Sequence, residues 1–125
     1  MLMLTTILAQ DTDSIHCTSV IDDHNPLLHN GLFPPTGGVE LLAQAAGSLL
    51  GTRMTGDTAR RGAIVQVKSF RVEQVAIPAG AELHIQARYQ AGTAEAALFE
   101  GEVFFDERCF FTGTLMIALL PGEYE

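Results

Sequence analysis

Residues 36–51 read Thr-Gly-Gly-Val-Glu-Leu-Leu-Ala-Gln-Ala-Ala-Gly-Ser-Leu-Leu-Gly, and this stretch decides the fold. Between positions 39 and 50 the polar side chains are Glu40, Gln44 and Ser48, each four residues after the one before. Residues with this spacing share one face of an α-helix, so these three would form a narrow polar stripe on an otherwise apolar cylinder. The pattern predicts a helix that packs inside the protein.

The two ends of this helix have local signals of their own. We expect the helix to start at Gly37-Gly38-Val39-Glu40, with Thr36 or Gly37 at the cap, because hydroxyl and glycine residues favour that position. Gly51 is the expected stop, since glycine commonly ends helices. The side chains in between are mostly alanine and leucine, so the helix is expected to be buried nearly all round.

The rest of the chain is predicted to form a sheet around this helix. Several runs of alternating apolar and polar residues are typical of strands with one buried face. The segment 22–35 is expected to be an irregular loop, because its adjacent prolines disfavour both helix and ladder pairing. The predicted strands are 2–9, 14–21, 63–75, 81–90, 94–105 and 109–120, with turns at 91–93 and 106–108. The order predicts a single α+β domain over residues 1–125, with one helix wrapped by an antiparallel sheet.

The charge balance narrows the possible partners. A net charge of −8 argues against a general nucleic-acid binder, which needs clustered lysine and arginine. Most of the basic residues nevertheless fall between positions 53 and 71. Two interpretations stay open: these residues are ordinary solubilising charge, or they form a local basic patch that binds an anionic partner. These residues are Arg53, Arg60, Arg61, Lys68 and Arg71.

Composition also bears on assembly and location. Hydrophobic residues make up 47% of a short chain, so apolar surface is left for a second copy to cover, and we expect a homodimer or larger assembly. Cys17 and Cys109 are expected to be reduced core cysteines, and their spacing indicates no metal site. Residues 1–10 lack a basic leader, and no apolar run approaches the ~20 residues of a membrane helix. We therefore expect a soluble, cytoplasmic protein.

Glu40 is the residue most suggestive of chemistry. A carboxylate near the start of an almost wholly apolar helix is unusual, because burying a charge is costly unless the charge is paired. Two interpretations stay open. Glu40 caps the backbone from the first turn and favours the helix dipole. Alternatively, it works with His24 or His29 of the preceding loop in acid–base chemistry on a carbonyl compound.

The helix start and the polar stripe supply candidate binding groups. The N–H groups of Gly37, Gly38 and Val39 would be free if the helix starts there, and they could then stabilise charge on a thioester oxygen. Gln44 and Ser48 would hydrogen-bond the carboxylate of the stripe, line a tunnel or satisfy the sheet backbone.

The other two histidines are expected to lie outside this site. His84 alternates with Gln86 and Arg88 on a polar strand face, which predicts a solvated side chain. His16 lies in the middle of a predicted strand and is expected to be packed or exposed rather than functional.

Residues 23–45 resemble a known family. The family is the hotdog 3-hydroxyacyl-carrier-protein dehydratases, above all their aryl-polyene-associated, ApeP-like branch. The similar segments are Asp23-His24-Asn25-Pro26-Leu27-Leu28, then Gly31 and Pro34, then Gly38-Val39-Glu40-Leu41-Leu42-Ala43-Gln44-Ala45. The likeness extends more weakly over most of the chain. It implies a homodimeric hotdog fold with a site in a tunnel at the subunit interface, acting on a thioester in fatty-acid or polyene biosynthesis.

The resemblance also implies roles for particular residues. In these dehydratases a loop histidine removes the α-proton, and a helix carboxylate of the other subunit assists departure of the 3-hydroxyl as water. Backbone N–H groups hold the thioester carbonyl. Glu40 matches the carboxylate, and His24 matches the histidine by its place in the Asp-His-Asn-Pro-Leu-Leu element. The chain lacks the His-Phe-Pro-Gly element of the better-known fatty-acid enzymes, and His29 lies nearer to the position of their histidine.

The implied partners follow from the same chemistry. The substrate would arrive on the phosphopantetheine of an acyl-carrier protein, and no other cofactor is implied. Two other functions fit the same residues. A hotdog thioesterase would use Glu40 to activate water or attack the thioester, without a histidine. A non-catalytic acyl-binding subunit of a larger synthase would need neither group.

Overall fold

The computed structural model describes residues 4–53, 63–93 and 95–119. Within these ranges the elements follow in the order β1 (Thr6–Gln10), β2 (Ser14–Val20), β3 (Leu32–Phe33), α1 (Pro35–Arg53), β4 (Ala63–Val72), β5 (Ile77–Pro78), β6 (Glu82–Gly92), β7 (Ala96–Phe105) and β8 (Arg108–Leu119). No helix in these ranges is long and apolar enough to cross a membrane. Positions 2, 3, 94 and 120 of the predicted strands lie outside the described residues.

Six strands form one sheet, and α1 packs across it. The strand order is β1-β2-β6-β7-β8-β4, and every neighbouring pair is antiparallel. Strands β6, β7 and β8 follow one another as hairpins, whereas β4 lies at the edge of the sheet, beside β8. The predicted α+β arrangement of one helix against an antiparallel sheet is therefore confirmed for the described part of the chain.

The helix lies close to the sheet where Leu42 meets two glycines. Gly101 and Gly113 are cross-strand partners on β7 and β8. A Cβ added at Gly101 would lie 2.9 Å from Leu42 Cδ2, and one added at Gly113 would lie 3.0 Å from Leu42 Cδ1. The missing side chains thus make the space that Leu42 fills. Burying a leucine contributes about 1.5–3 kcal/mol, so this face of α1 is its main attachment. The buried residues of the face are Leu41, Leu42, Ala45, Ala46 and Leu49.

The helix starts at Pro35, two residues earlier than predicted, and continues past Gly51 to Arg53. Proline suits the first helical position because its φ is already helical and it has no N–H to satisfy. The predicted stop is wrong because nothing local enforces it. A Cβ at Gly51 would meet no atom of the described residues within 4 Å, and this glycine lies within the helix.

Two glycines of the first turn are held directly against aromatic rings. A Cβ added at Gly37 would lie 2.2 Å from Cζ of Phe33, and one added at Gly38 would lie 2.4 Å from Cδ2 of Phe111. Both glycines are buried. Any larger residue would push a ring away, so these positions are fixed by packing between β3, α1 and β8.

The prediction that α1 is buried nearly all round is wrong for the single chain. Thr36, Glu40 and Gly47 are exposed, and Ala43 and Gln44 are half-buried. The physical reason is geometric, since one sheet covers only one side of a helix. The side that includes the polar stripe stays uncovered.

The loop before the helix is more regular than predicted. Residues of β3 pair antiparallel with β5, and His29 forms a β-bridge with Leu32. Between them Asn30 and Gly31 have φ values of 54° and 76°. Positive φ at both central residues defines a type I′ turn, for which Asn-Gly is the strongest short signal. That dipeptide, and not the two prolines, governs the local structure.

Three further residues other than glycine adopt the left-handed conformation. Asp106 and Glu107 have φ values of 53° and 64°, and they form the tight β7–β8 turn predicted at 106–108. Ala76 has a φ of 75°. It follows β4, which ends at Val72 and not at residue 75 as predicted. The left-handed conformation costs about 1–2 kcal/mol for a residue with a Cβ.

Replacing Ala76 with glycine is expected to raise the free energy of unfolding by about 1 kcal/mol, because glycine adopts this φ without strain. Urea denaturation would measure the change. The matched control is Ala79→Gly, at an alanine without a positive φ, which should lower stability by about 0.4–1 kcal/mol. Equal losses in both variants would show that Ala76 is not strained.

Gly38→Ala is expected to lower the free energy of unfolding by about 1–3 kcal/mol, because the ring of Phe111 must move to admit the methyl group. Gly51→Ala is the control on the same helix, and it should raise stability by up to about 1 kcal/mol. Thermal and urea unfolding would compare the two. A neutral Gly38→Ala would contradict tight packing at the helix start.

Candidate active site

Glu40 lies on the uncovered side of α1. It is the sixth residue of the helix, so it lies beyond the first turn, which contains no acidic residue. The alternative in which Glu40 caps the backbone from the first turn is therefore wrong, because the helix starts earlier than predicted. Its carboxylate is exposed, and Oε1 accepts a hydrogen bond of 3.1 Å from Nε2 of Gln44. The side chain is oriented by its neighbour and open to a ligand.

The polar stripe continues from Glu40 along the helix. Gln44 and Ser48 are both half-buried. Ser48 lines a cavity of about 360 Å³ between the helix and the first strand. Among the described residues, the cavity is also lined by Leu4, Thr5, Thr6 and Ile7. Sequence patterns could not reveal this cavity, because it depends on how residues 4–7 pass over a helix forty positions later.

The helix start offers fewer free N–H groups than predicted. The N–H of Gly37 donates to the carbonyl of Pro34 at 2.9 Å, so the expectation of a free group there is wrong. Gly38 and Val39 come after the first three residues of the helix. From that point on, each N–H group normally donates to a carbonyl of the preceding turn. Their predicted contact with a thioester carbonyl stays a prediction.

Both loop histidines are exposed on the segment that precedes α1. The backbone N–H of His24 donates to Oδ1 of Asp22 at 2.8 Å, which fixes a local turn. His29 and Leu32 exchange two backbone hydrogen bonds, of 2.9 Å and 3.0 Å. In the described part of the single chain, no hydrogen bond or ion pair joins either imidazole ring to Glu40. The structure thus brings Glu40 and Gln44 together and leaves the histidines apart from them.

An edge strand adds apolar surface on the same side as the helix. Val65 and Val67 of β4 are 43% and 42% exposed. They pair with Ile117 and Leu115 of β8, whose side chains are buried on the helix side of the sheet. Cross-strand partners point to the same face, so the two valines face the helix side but extend beyond its cover.

Only some of the basic residues between positions 53 and 71 have described side chains. Arg60 and Arg61 lie outside the described residues, as does the side chain of Arg53. Lys68 is exposed on β4, and Arg71 forms a 3.3 Å ion pair with Glu73 in an exposed position. An exposed pair of this kind contributes little to stability.

The cysteines are separate from this site. Both are free thiols, with Cys17 fully buried and Cys109 half-buried. Burial raises the pKa of the Cys17 thiol to about 11, so this group stays protonated and unreactive near neutral pH. The predicted core position is confirmed for Cys17 and is wrong for Cys109, which is only half-buried.

The sequence matches the family model described as ApeP-like, ApeP dehydratase, over residues 1–122. No curated protein matches the chain. The family match spans nearly the whole sequence, including both histidines, Glu40 and Gln44.

Several solved structures are similar in fold. The dehydratase heterocomplex ApeI:P from Xenorhabdus doucetiae has 22% identity and a TM-score of 0.79, with 96% of this chain and 84% of that chain covered. The smu.793 protein from Streptococcus mutans UA159, bound to acetyl CoA, has 13% identity and a TM-score of 0.71, with 95% and 90% covered. A hypothetical thioesterase from Streptococcus pneumoniae TIGR4, with coenzyme A, has 11% identity and a TM-score of 0.72, with 94% and 87% covered. The chain therefore has the hotdog fold and belongs to the ApeP-like dehydratase family.

Proposed function

We propose that this protein removes water from a 3-hydroxyacyl thioester, held on an acyl-carrier protein, to give the 2-enoyl thioester. The observation that supports this most directly is the exposed carboxylate of Glu40, oriented by Gln44 on the open side of α1, in a chain of a dehydratase family. A carboxylate that must reach a substrate has to be accessible, and Glu40 meets that requirement in the single chain.

The proposed reaction needs a base and an acid. One imidazole, that of His24, takes the proton from the α-carbon, and the electron pair forms the new double bond as the C–O bond at carbon 3 breaks. The carboxyl group of Glu40, in its protonated form, donates its proton to the departing hydroxyl, which leaves as water, and the proton taken by His24 restores the acid for the next turnover. Gln44 orients Glu40, and backbone N–H groups at Gly37, Gly38 or Val39 hold the thioester carbonyl. For all three residues this requires the N–H to be shared with a backbone carbonyl of the helix start, which for Gly37 is the carbonyl of Pro34.

We further propose that a second copy of the chain completes the site. In the single chain neither loop histidine is bonded to Glu40, whereas a two-fold copy would place one chain's loop beside the other chain's helix. The open side of α1 and the exposed valines of β4 offer a continuous surface for that copy. The solved ApeI:P relative is a heterocomplex, so a different hotdog chain is the other occupant that an experiment must distinguish.

The carrier protein would approach a basic surface. Lys68 is exposed on β4, next to the proposed subunit contact, and the guanidinium of Arg71 on the same strand is paired with Glu73. Carrier proteins that hold thioesters on phosphopantetheine present a phosphate and acidic residues, which complement such a patch. Because the chain as a whole has a net charge of −8, the attraction must be local.

Glu40→Gln and His24→Ala are each expected to lower the dehydration rate about 10²–10⁴-fold, the usual contribution of a general acid or base. His29→Ala should cost less than about tenfold, since it lies outside the proposed proton transfer. His84→Ala, a histidine on the opposite face of the sheet, is the matched control and should keep the wild-type rate. The rates would be followed by mass spectrometry of the carrier-bound acyl chain.

The same variants distinguish the alternatives. A severe loss in His29→Ala with normal turnover in His24→Ala would assign the base to His29. Wild-type turnover in both loop variants, with release of free acid, would instead indicate a thioesterase that uses Glu40 alone. No turnover in any form of the protein would indicate an acyl-binding subunit.

Val67→Glu is expected to convert the proposed dimer to a monomer and to abolish activity. A charge on the edge strand β4 opposes the association of this strand with a second copy of the chain. Light scattering during size-exclusion chromatography would give the mass. Val20→Glu, at a valine that is 45% exposed on β2, is the control and should stay dimeric. If the wild-type protein is monomeric by itself and forms a dimer only with another hotdog chain, the assembly is a heterocomplex and the proposed homodimer is wrong.

A further inference from the structure

Two histidines face each other on the side of the sheet away from α1. His16 Nε2 and His84 Nδ1 are 3.0 Å apart, although the residues are 68 positions apart in sequence. They occupy diagonal positions on β2 and β6, where His16 is opposite Gln86 and His84 is opposite Thr18. The neighbouring positions Cys17 and Ile85 point to the core, so the two rings lie on the outer face.

A carboxylate lies beside the pair. Oε1 of Glu82 is 3.6 Å from Nε2 of His84. A hydrogen on Nε2 of His84 would face this negative oxygen and would leave the lone pair of Nδ1 directed at His16. In that tautomer Nε2–H of His16 is the donor of the 3.0 Å contact. Metal-binding histidines commonly have this arrangement, in which one ring nitrogen faces a carboxylate and the other binds the metal.

The spacing of the two nitrogens suits one metal ion. For metal–nitrogen bonds of about 2.1 Å, a 3.0 Å separation corresponds to an angle of about 90° at the metal. That angle fits two adjacent positions of a square-planar, tetragonal or octahedral ion and is small for a tetrahedral one. Imidazole ligands in tetragonal geometry select Cu²⁺ and Ni²⁺, and hard ions such as Mg²⁺ prefer oxygen.

Access and charge also permit binding. The side chain of His84 is 41% exposed and that of Glu82 is 63% exposed. The nearby guanidinium of Arg88 is neutralised by ion pairs with Glu100 and Glu102. Within the described residues no group of three or more histidine, cysteine, aspartate and glutamate side chains is arranged around one ion. The two rings would therefore supply two ligands, and water would complete the shell.

We propose that His16 and His84 form a bidentate site for a divalent ion of the Cu²⁺ and Ni²⁺ class, with Glu82 as the residue that positions His84. The metal lies to one side of the line that joins the two nitrogens, about 2.1 Å from each. When it binds, the proton of His16 moves from Nε2 to Nδ1. The bound ion links β2 to β6 and lies on the opposite face of the sheet from Glu40. The site is thus independent of the proposed dehydration.

The test is a titration of the full chain with Ni²⁺, followed by calorimetry and by the shift in the unfolding temperature of each variant relative to its own metal-free form. Wild-type protein should bind one ion per chain and unfold at a higher temperature, since the ion binds only the folded pair. His16→Gln and His84→Gln should lose both effects. Mg²⁺ should give neither.

Control variants exclude the other possible ligands. His24→Gln, His29→Gln and Cys109→Ser should bind Ni²⁺ as the wild type does. Glu82→Gln tests the positioning role without removing a ligand, and it should weaken binding about 10–100-fold. If either histidine variant fails to fold, Cu²⁺ electron paramagnetic resonance of the wild type should show two nitrogen ligands. Unchanged Ni²⁺ binding in both His16→Gln and His84→Gln, or no binding by the wild type, would overturn the proposal.

Discussion

The contact of two phenylalanine rings with the glycines of the first helical turn determines where the rest of the molecule lies. Phe33 comes from the short strand β3, and Phe111 comes from the sheet strand β8. Gly37 and Gly38 have no side chains, so both rings rest on the helix backbone itself. This one contact joins the loop that holds the histidines, the helix and the sheet. Glu40 follows within one turn, on the side of the helix that the rings leave open.

The division of α1 into a covered and an uncovered side connects the fold with the proposed chemistry. On the covered side, Leu42 fills the space above two glycines of the sheet, and this packing holds the helix firmly. On the other side, small residues and the pair Glu40 and Gln44 face outward. A rigid helix that presents an oriented carboxylate is a suitable platform for positioning an acid group, because the sheet behind it prevents the helix from shifting. A second chain on this side would exclude water from the reacting atoms.

Local signals were sufficient to predict much of the fold. The spacing of the polar stripe predicted a helix, strand alternation predicted the four long strands that follow it, and the turn residues placed the β7–β8 hairpin. The family resemblance of residues 23–45 is confirmed by the family match. The helix start was missed because proline at the first helical position looks like a loop residue when the sequence is considered alone. The bridge at His29 follows from the Asn30-Gly31 turn, whose signal lies within a segment that its prolines mark as irregular.

Other features could not be predicted because they depend on distant parts of the chain. Burial on all sides was inferred from an apolar helix, yet the single chain has no second layer to cover the outer side. Likewise, the alternation patterns of β2 and β6 do not relate His16 to His84, and only the register of the two strands brings them together. The histidine that serves Glu40 depends on the contact between subunits, which no pattern within one chain determines.

The most direct test of the central claim is the mass of an acyl-carrier protein before and after incubation with the purified wild-type protein. The carrier would be loaded with a 3-hydroxyacyl chain on its phosphopantetheine. If Glu40 belongs to a dehydratase site, the loaded carrier becomes lighter by the mass of one water molecule, and the acyl chain stays attached. A carrier that returns to its unloaded mass, with free 3-hydroxy acid in solution, or a carrier of unchanged mass, would contradict the account.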